Sequence, residues 1–324
     1  MNRILTILAA AALTGVMSAT AWAQSAYPSK PVTLVMPFPP GGGTDSIARI
    51  YANALSDALG QPVVVENKAG GAGTIGTTEV ARARPDGHTL LFTISGPVNL
   101  APHFFPDLSY DTARDLAPVA AVAQSILLLA AQPGFAPGTM KELVEYAQSG
   151  TAPVRFGTAG VGSPDHLMVE VMNHVLDASM IHVPYQGGAP MMVDLLGGRL
   201  DVGIASTATI MPHVEAGKLK VIAQVETKRS DRLPDIEATD ETVPGTGRTT
   251  WYGIFAPAGT APEIIARLNE ATAEIMARDD VTQALDKIGV VPMYQDAESF
   301  GALVASEIER FGRQIEETGL NVKQ

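Results

Sequence analysis

Along the chain, short apolar runs alternate with stretches of helical periodicity, and glycine and proline mark the joints. Val32-Thr33-Leu34-Val35-Met36 is rich in β-branched residues and stops at Pro37, which predicts a buried strand. After a turn over residues 38–45, Ile47, Ile50, Tyr51, Ala54, Leu55, Ala58 and Leu59 recur at helical spacing until Gly60. Residues 63–65 predict a second strand, 70–76 a glycine-rich turn, a small-residue helix runs to Ala81, and residues 89–94 form a third strand. The order β-α-β-α-β predicts a parallel sheet with right-handed crossovers.

A second block repeats the pattern. Strands are predicted over 126–130, 154–156, 181–183, 200–205 and 221–225. Helices are predicted over 140–148, through Leu167, Val171, Met172 and Val175, and from Pro190 to Gly197-Gly198. Residues 226–250 are the most polar and turn-rich, with Pro234, Pro244, Gly245 and Gly247, and read as a return crossing. A strand over 251–256 and two amphipathic helices over 262–278 and 297–318 follow. Those helices need a sheet to cover, and the first block is short of helices. The expected fold is therefore α/β with two lobes: domain I of residues 27–124 and 253–324, domain II of 125–252. A pair of crossings makes a hinge, and the cleft between the lobes is where a ligand would bind.

The first residues change the picture of where the protein works. Met1-Asn2-Arg3 carries one positive charge, an apolar run follows from Ile4, and Ala21-Trp22-Ala23 is a small-x-small cleavage site before Gln24. This predicts a signal peptide over 1–23, cleaved near Ala23, and an exported, soluble product. No later run is long enough to span a bilayer. The 324 residues contain no cysteine, which excludes a disulfide scaffold, a zinc ribbon and a thiol nucleophile. A net charge of -12 argues against a nucleic-acid partner, since neutralising phosphates takes a basic face.

Candidate chemistry sits in two strand–glycine-loop–helix units. The first is Phe38-Pro39-Pro40-Gly41-Gly42-Gly43-Thr44-Asp45; the second is Thr158-Ala159-Gly160-Val161-Gly162-Ser163 before Pro164. In each, glycines let the backbone turn with its N–H groups inward, and the helix that follows adds the positive end of its dipole, which together suit an anion. Thr44 or Asp45 can cap the first helix, and Ser163-Pro164 fits N-cap and N1 of the second. One such loop is an ordinary βα turn. Two, one per lobe at the carboxyl ends of strands, face a common ligand. Neither contains Lys or Arg, so neutral amides and hydroxyls would hold the anion, which suits a carboxylate bound reversibly.

Other patterns are weaker. Gly71-Ala72-Gly73-Thr74-Ile75-Gly76 matches a dinucleotide fingerprint, but no acid stands near Ser95 to take a ribose. No phosphate-binding G-x-x-x-x-G-K-[ST] loop occurs, and the six histidines show no H-E-x-x-H spacing. Ser163 lies one position late for a nucleophile elbow. No cofactor or metal is therefore expected. His166, in the first turn of the second helix, reads as a hydrogen-bonding brace for its loop ahead of a catalytic group. Tyr185 either lines the cleft or packs beside it.

With these residues in view, the chain resembles the solute-binding receptors of tripartite tricarboxylate transporters, the Bug (TctC-like) family of Gram-negative periplasms. The resemblance rests on Tyr27-Pro28-Ser29-Lys30-Pro31, on residues 37–45, on Val65-Glu66-Asn67-Lys68-Ala69-Gly70-Gly71-Ala72-Gly73, and on Gly160-Val161-Gly162-Ser163-Pro164 with His166. Val183-Pro184-Tyr185, Asp194-Leu195-Leu196-Gly197-Gly198 with Asp201, and Phe255-Ala256-Pro257-Ala258-Gly259-Thr260 complete it. It implies a type II periplasmic-binding-protein fold, a flytrap whose loops from both lobes pinch one carboxylate of a solute, partly through ordered water. Ser95 and Tyr185 join the ligand-binding set on this view, while Asp45, His166 and Asp201 support the loops. Ser95-Gly96-Pro97-Val98-Asn99 departs from the Ser-x-x-His-x-x-Asn pattern of many members, and His103 is the nearest substitute.

The expected function is thus a monomeric, non-enzymatic receptor that captures a di- or tricarboxylate, acidic amino acid or aromatic acid and delivers it to membrane permease subunits. The alternatives are a periplasmic sensor feeding a two-component system, and an exported hydrolase or isomerase, for which Asp45, Ser163 and His166 are the available groups.

Overall fold

The computed structural model describes residues 27–105, 107–158, 160–178, 180–185 and 188–320. The signal-peptide expectation and Ala159 fall outside the described residues.

Among the described residues, eleven strands form two sheets. The first is ordered β11-β4-β10-β3-β1-β2, from β1 (Val32–Met36), β2 (Val63–Asn67), β3 (Thr89–Ile94), β4 (Leu116–Ser125), β10 (Thr250–Pro257) and β11 (Val291–Gln295). The second is ordered β7-β6-β8-β5-β9, from β5 (Leu127–Ala131), β6 (Arg155–Thr158), β7 (Ile181–Pro184), β8 (Val202–Ser206) and β9 (Lys220–Gln224). Both faces of each sheet are covered, which is why the strands read as continuous apolar runs: Val32, Leu34, Val35 and Met36 are all fully buried.

The parallel arrangement expected from the alternation holds for β1, β2 and β3. It does not hold for the whole sheet, because β10 runs antiparallel to both β3 and β4, and β11 antiparallel to β4. The crossover rule binds only strands joined through a helix within one sheet, and β10 arrives from the other sheet. The hydrophobic pattern also fails to single out β4. Its sequence LAPVAAVAQS is poor in β-formers, yet Ala120, Ala121 and Ala123 are fully buried where helices press on both faces. Helices Thr207–Glu215, which contains Pro212, and Asp279–Lys287 are likewise additions to the sequence reading.

Strand directions decide what faces what. β4 passes through Ile126 straight into β5, so β5 starts at the side of its sheet nearest the first. β8 is antiparallel to β5, and β6 and β7 run with β8, so all three end toward the first sheet. β1, β3 and β4 share one direction, opposed to β10, and end toward the second sheet. The loops that follow β1 and β6 therefore lie on the two facing sides.

On one face of the first sheet, helices Gly43–Leu59 and Pro262–Met276 close a core around Leu34, Tyr51, Phe92 and Leu268. On the other, helix Ala297–Thr318 brings Phe300 against Trp251 and Phe255. The second sheet is covered by helices Met140–Ser149 and Pro164–Leu176 around Phe156 and by Gly188–Leu196 around Met191. A smaller apolar cluster joins the lobes: Leu100, Phe104 and Phe311 from the first meet Leu167 and Val171 from the second. Beside it Arg248 pairs with Asp165, and Arg310 Nη1 donates to Gly247 O at 2.6 Å. Among the described residues no helix is long and apolar enough to cross a membrane.

Candidate functional site

The loop after β1 is organised by one carboxylate. Asp45 is 3% exposed and sits at the third position of helix Gly43–Leu59, whose N-cap is Gly42 with no side-chain cap. Neither Thr44 nor Asp45 is the N-cap, contrary to the sequence expectation. With glycine in that place, Asp45 reaches back past it: its Oδ2 accepts from Gly41 N, one residue before the N-cap, at 3.0 Å. The same oxygen accepts from Arg49 Nε at 2.9 Å, and Oδ1 accepts from Asn67 Nδ2 at 2.9 Å. Asn67, paired with Met36 across β1 and β2, also donates to Phe38 O at 3.1 Å. Burial pushes the Asp45 carboxyl up, but the bonds from Arg49, Gly41 and Asn67 outweigh it and hold it at about 2. The carboxylate is thus ionised, inward-facing and fully engaged, while Pro39, Pro40, Gly41, Gly42 and Gly43 are exposed and Thr44 half-buried. Gly41 has φ +85°, a conformation that strains any residue with a β-carbon.

The loop after β6 is braced from behind. Ser163 caps helix Pro164–Leu176: its Oγ accepts from His166 N at 3.2 Å and donates to Gly160 O at 2.8 Å. Pro164 follows in the first turn, as the sequence implied. His166 Nδ1 accepts from Gly162 N at 3.1 Å, which puts its ring behind the loop. Thr158 is fully buried, and its Oγ1 lies 2.6 Å from His182 Nε2. Thr158 therefore acts on the loop from beneath it. Gly160 has φ +148°, and a β-carbon there would come within 3.3 Å of Tyr185 O. Val161 is 48% exposed at the tip, and its amide finds no partner among the described residues.

The remaining candidates are scattered. Ser95 follows β3 and is only 6% exposed. Tyr185 N donates to Thr158 O at 3.1 Å, and its hydroxyl donates to Asp194 Oδ2 at 2.7 Å, so the ring is tied to its own lobe. Asp201 does not support the loop. It accepts from Arg155 N at 2.8 Å and Arg155 Nη2 at 2.7 Å, at the start of β6, while the loop begins at the strand's other end, about 10 Å away at ~3.3 Å per residue. His103 Nε2 lies 2.9 Å from Ile308 O, and the buried Asn99 donates to Glu307 Oε2 at 2.6 Å. Both are thereby turned toward helix Ala297–Thr318.

Three functional neighbours were missed from sequence. Asn67 and Arg49 complete the Asp45 hub, and the Asp45/Arg49 spacing of four on one helix was the available signal. His182 had none, because it meets Thr158 and His166 only through the pairing of β6 with β7.

Each of the two loops leads into a helix N-terminus and carries no cation of its own. Among the described residues no three His, Asp or Glu side chains gather as a metal site. The polar side chains of the loops are engaged internally: Asp45 and Ser163 are committed to the backbone, and His166 to a loop amide.

Comparison with known proteins fits this geometry. Residues 47–320 match the family described as tripartite tricarboxylate transporter family receptor. Protein BugT of Bordetella pertussis is 33% identical over 325 residues, covering 100% of this chain and 99% of its own. A solved Rhodopseudomonas palustris protein with adipate superposes with TM-score 0.77 at 31% identity, covering 91% of this chain and 99% of its own. MatC of the same organism, with bound malate, gives TM-score 0.74 at 32% identity, over 89% of this chain and all of its own. The chain belongs to the tripartite tricarboxylate transporter receptors, two-lobed solute-binding proteins and not enzymes.

Proposed function

We propose that the loops at 38–45 and 158–163 together hold one carboxylate of a small solute, of the dicarboxylate class, and that the closed receptor delivers it to the permease subunits of its transporter. The observation that carries this reading is the pair of cation-free, glycine-turned loops on facing sides of two sheets. Adipate and malate in two similar proteins support the solute class, since both are short chains with a carboxylate at each end. Solute favours closure only by the contacts it makes in the closed state, so a ligand touching both loops is what couples capture to delivery. The pieces 27–124 with 253–324, and 125–252, move as the two bodies, and the protein acts as a monomer. Residues 1–23 direct export and are removed near Ala23, which places the receptor in the periplasm. Mass analysis of the exported protein checks the last point, with a chain starting near Gln24 expected.

Thermal unfolding of refolded, ligand-stripped protein tests the solute class. Malate, adipate, citrate, glutamate and benzoate are compared with their amides. At a hundredfold excess over Kd, binding adds about 2.7 kcal/mol, a rise of several degrees in Tm. The expected result is a rise with a dicarboxylate and none with its amide. Equal rises with acid and amide, or none across the panel, overturn the reading.

A further inference from the structure

The second loop rests on a pair of stacked histidines whose rings come from different elements. His166, on helix Pro164–Leu176, and His182, on β7, lie face to face with centroids 3.9 Å apart and planes at 14°. Each grips a different end of the loop. His166 Nδ1 takes the Gly162 amide, and His182 Nε2 meets the Thr158 hydroxyl, which is itself 3.4 Å from Gly160 N.

Resting on the carboxylate reading above, we propose that His182 is a positioning residue for solute capture: with His166 stacked on it, it fixes Thr158 and the Gly162 amide, and so sets the shape in which Gly160 and Val161 meet the anion. The protonation states follow from the bonds. His166 Nδ1 accepts a hydrogen bond, so it carries no proton, and the neutral ring must bear its proton on Nε2. A proton on Nδ1 would face the Gly162 N–H donor to donor. Two imidazolium rings at stacking distance would also repel. Burial, and then His166 beside it, pushes the His182 ring down to about 4, and burial pushes His166 down.

The charged surroundings leave the pair neutral. On the same helix, Glu170 Oε1 lies 3.7 Å from His166 Nε2, with its carboxyl pushed up by burial, and Asp165 is paired with Arg248 of the return crossing. On β6, Arg155 is paired with Asp201 at the strand's far end. On helix Ala297–Thr318, packed against the histidine-bearing helix, Arg310 donates to Gly247 O. Among the described residues Glu170 stands where it could stabilise a protonated ring, and it would draw that proton to Nε2, away from the loop amide.

The test follows imidazole and amide nitrogen signals of the mature chain without solute, and malate affinity, between pH 7.5 and 4. In the wild type, His166 should carry its proton on Nε2, and the Gly162 amide should shift in step with the rings below about pH 5. His182→Ala should perturb the Gly160 and Gly162 amides and weaken malate by roughly tenfold at pH 7.5, the worth of one hydrogen bond. His166→Asn with His182→Gln keeps an amide partner for the Gly162 N–H and for the Thr158 hydroxyl and cannot titrate. It should bind malate within about threefold of wild type at pH 7.5, and lose less affinity than wild type on acidification. A His166 ring protonated on Nδ1, loop amides indifferent to His182→Ala, or parallel pH profiles in wild type and double variant would overturn the proposal. Should malate and adipate both fail to bind at pH 7.5, that failure falls on the solute reading, and the amide signals alone decide the role of His182.

Discussion

Asp45 gathers three donors around the first loop, and its removal can be worked through. Asp45→Ala strips the acceptor from three donors: Gly41 N, Arg49 Nε and Asn67 Nδ2. Hydrogen bonds to a charged partner contribute about 1.5–3 kcal/mol each when buried. The Arg49 side chain is 50% exposed and can turn to water, so its share is at most about 1 kcal/mol. Asn67 retains its bond to Phe38 O, and the Gly41 amide lies in an exposed loop, so neither forfeits its full share. The sum is about 2–3 kcal/mol, a Tm lower by roughly 3–5 °C. Asp45→Asn, keeping one acceptor but turning an amide toward donors, should fall between. Urea midpoints at constant slope give the number. The pH dependence adds a second check. A folded carboxyl at about 2 against 3.8 when unfolded stabilises above the unfolded value and loses that effect as pH falls through the folded one. The gap between wild type and Asp45→Ala should therefore be constant from pH 7 to about 5 and narrow below 4. A gap under about 0.5 kcal/mol at pH 7, or one that does not narrow in acid, would refute the account of this loop.

Two further expectations concern residues away from the loops. Burial pushes the Glu226 carboxyl up to about 8 from 4.5, with Arg248 opposing; its stabilising contribution is complete below 4.5 and lost as pH rises through 8. Glu226→Gln should accordingly gain on wild type by about 1 kcal/mol or more between pH 5 and 9, and denaturation curves that stay parallel across that range would contradict it. Asp201→Ala should cost about 1 kcal/mol of stability through the partly exposed Arg155 pair while leaving malate affinity unchanged, and a loss of affinity would return Asp201 to the loop.

Much of this could be read from local pattern. The strand over residues 32–36, the Ser163-Pro164 start of a helix and the helix Ala297–Thr318 all follow from periodicity and capping chemistry carried by neighbouring residues. What escaped depends on partners far along the chain. β4 is strand because β10 and β11 flank it, despite its alanines. Asp45 looked like a cap because Gly42 gives no sign that it takes that place itself. Asp201 was read with the loop because only the strand direction shows it at the opposite end of β6. Glu307, 4% exposed, accepts from Trp251 Nε1 at 2.8 Å and from Asn99, a junction of three distant segments that no spacing announces.

The central claim is that both lobes grip one carboxylate, and calorimetric titration of the acid that raises Tm, into wild type and into Gly41→Val and Gly160→Val, tests it most directly. Each glycine sits at positive φ in one loop, and a branched side chain there blocks the backbone's approach to the anion. The account predicts that either substitution alone weakens binding at least tenfold in a protein that still unfolds cooperatively. Loss of affinity from one loop only, with the other variant binding as wild type does, would contradict a shared grip and leave the solute to a single lobe.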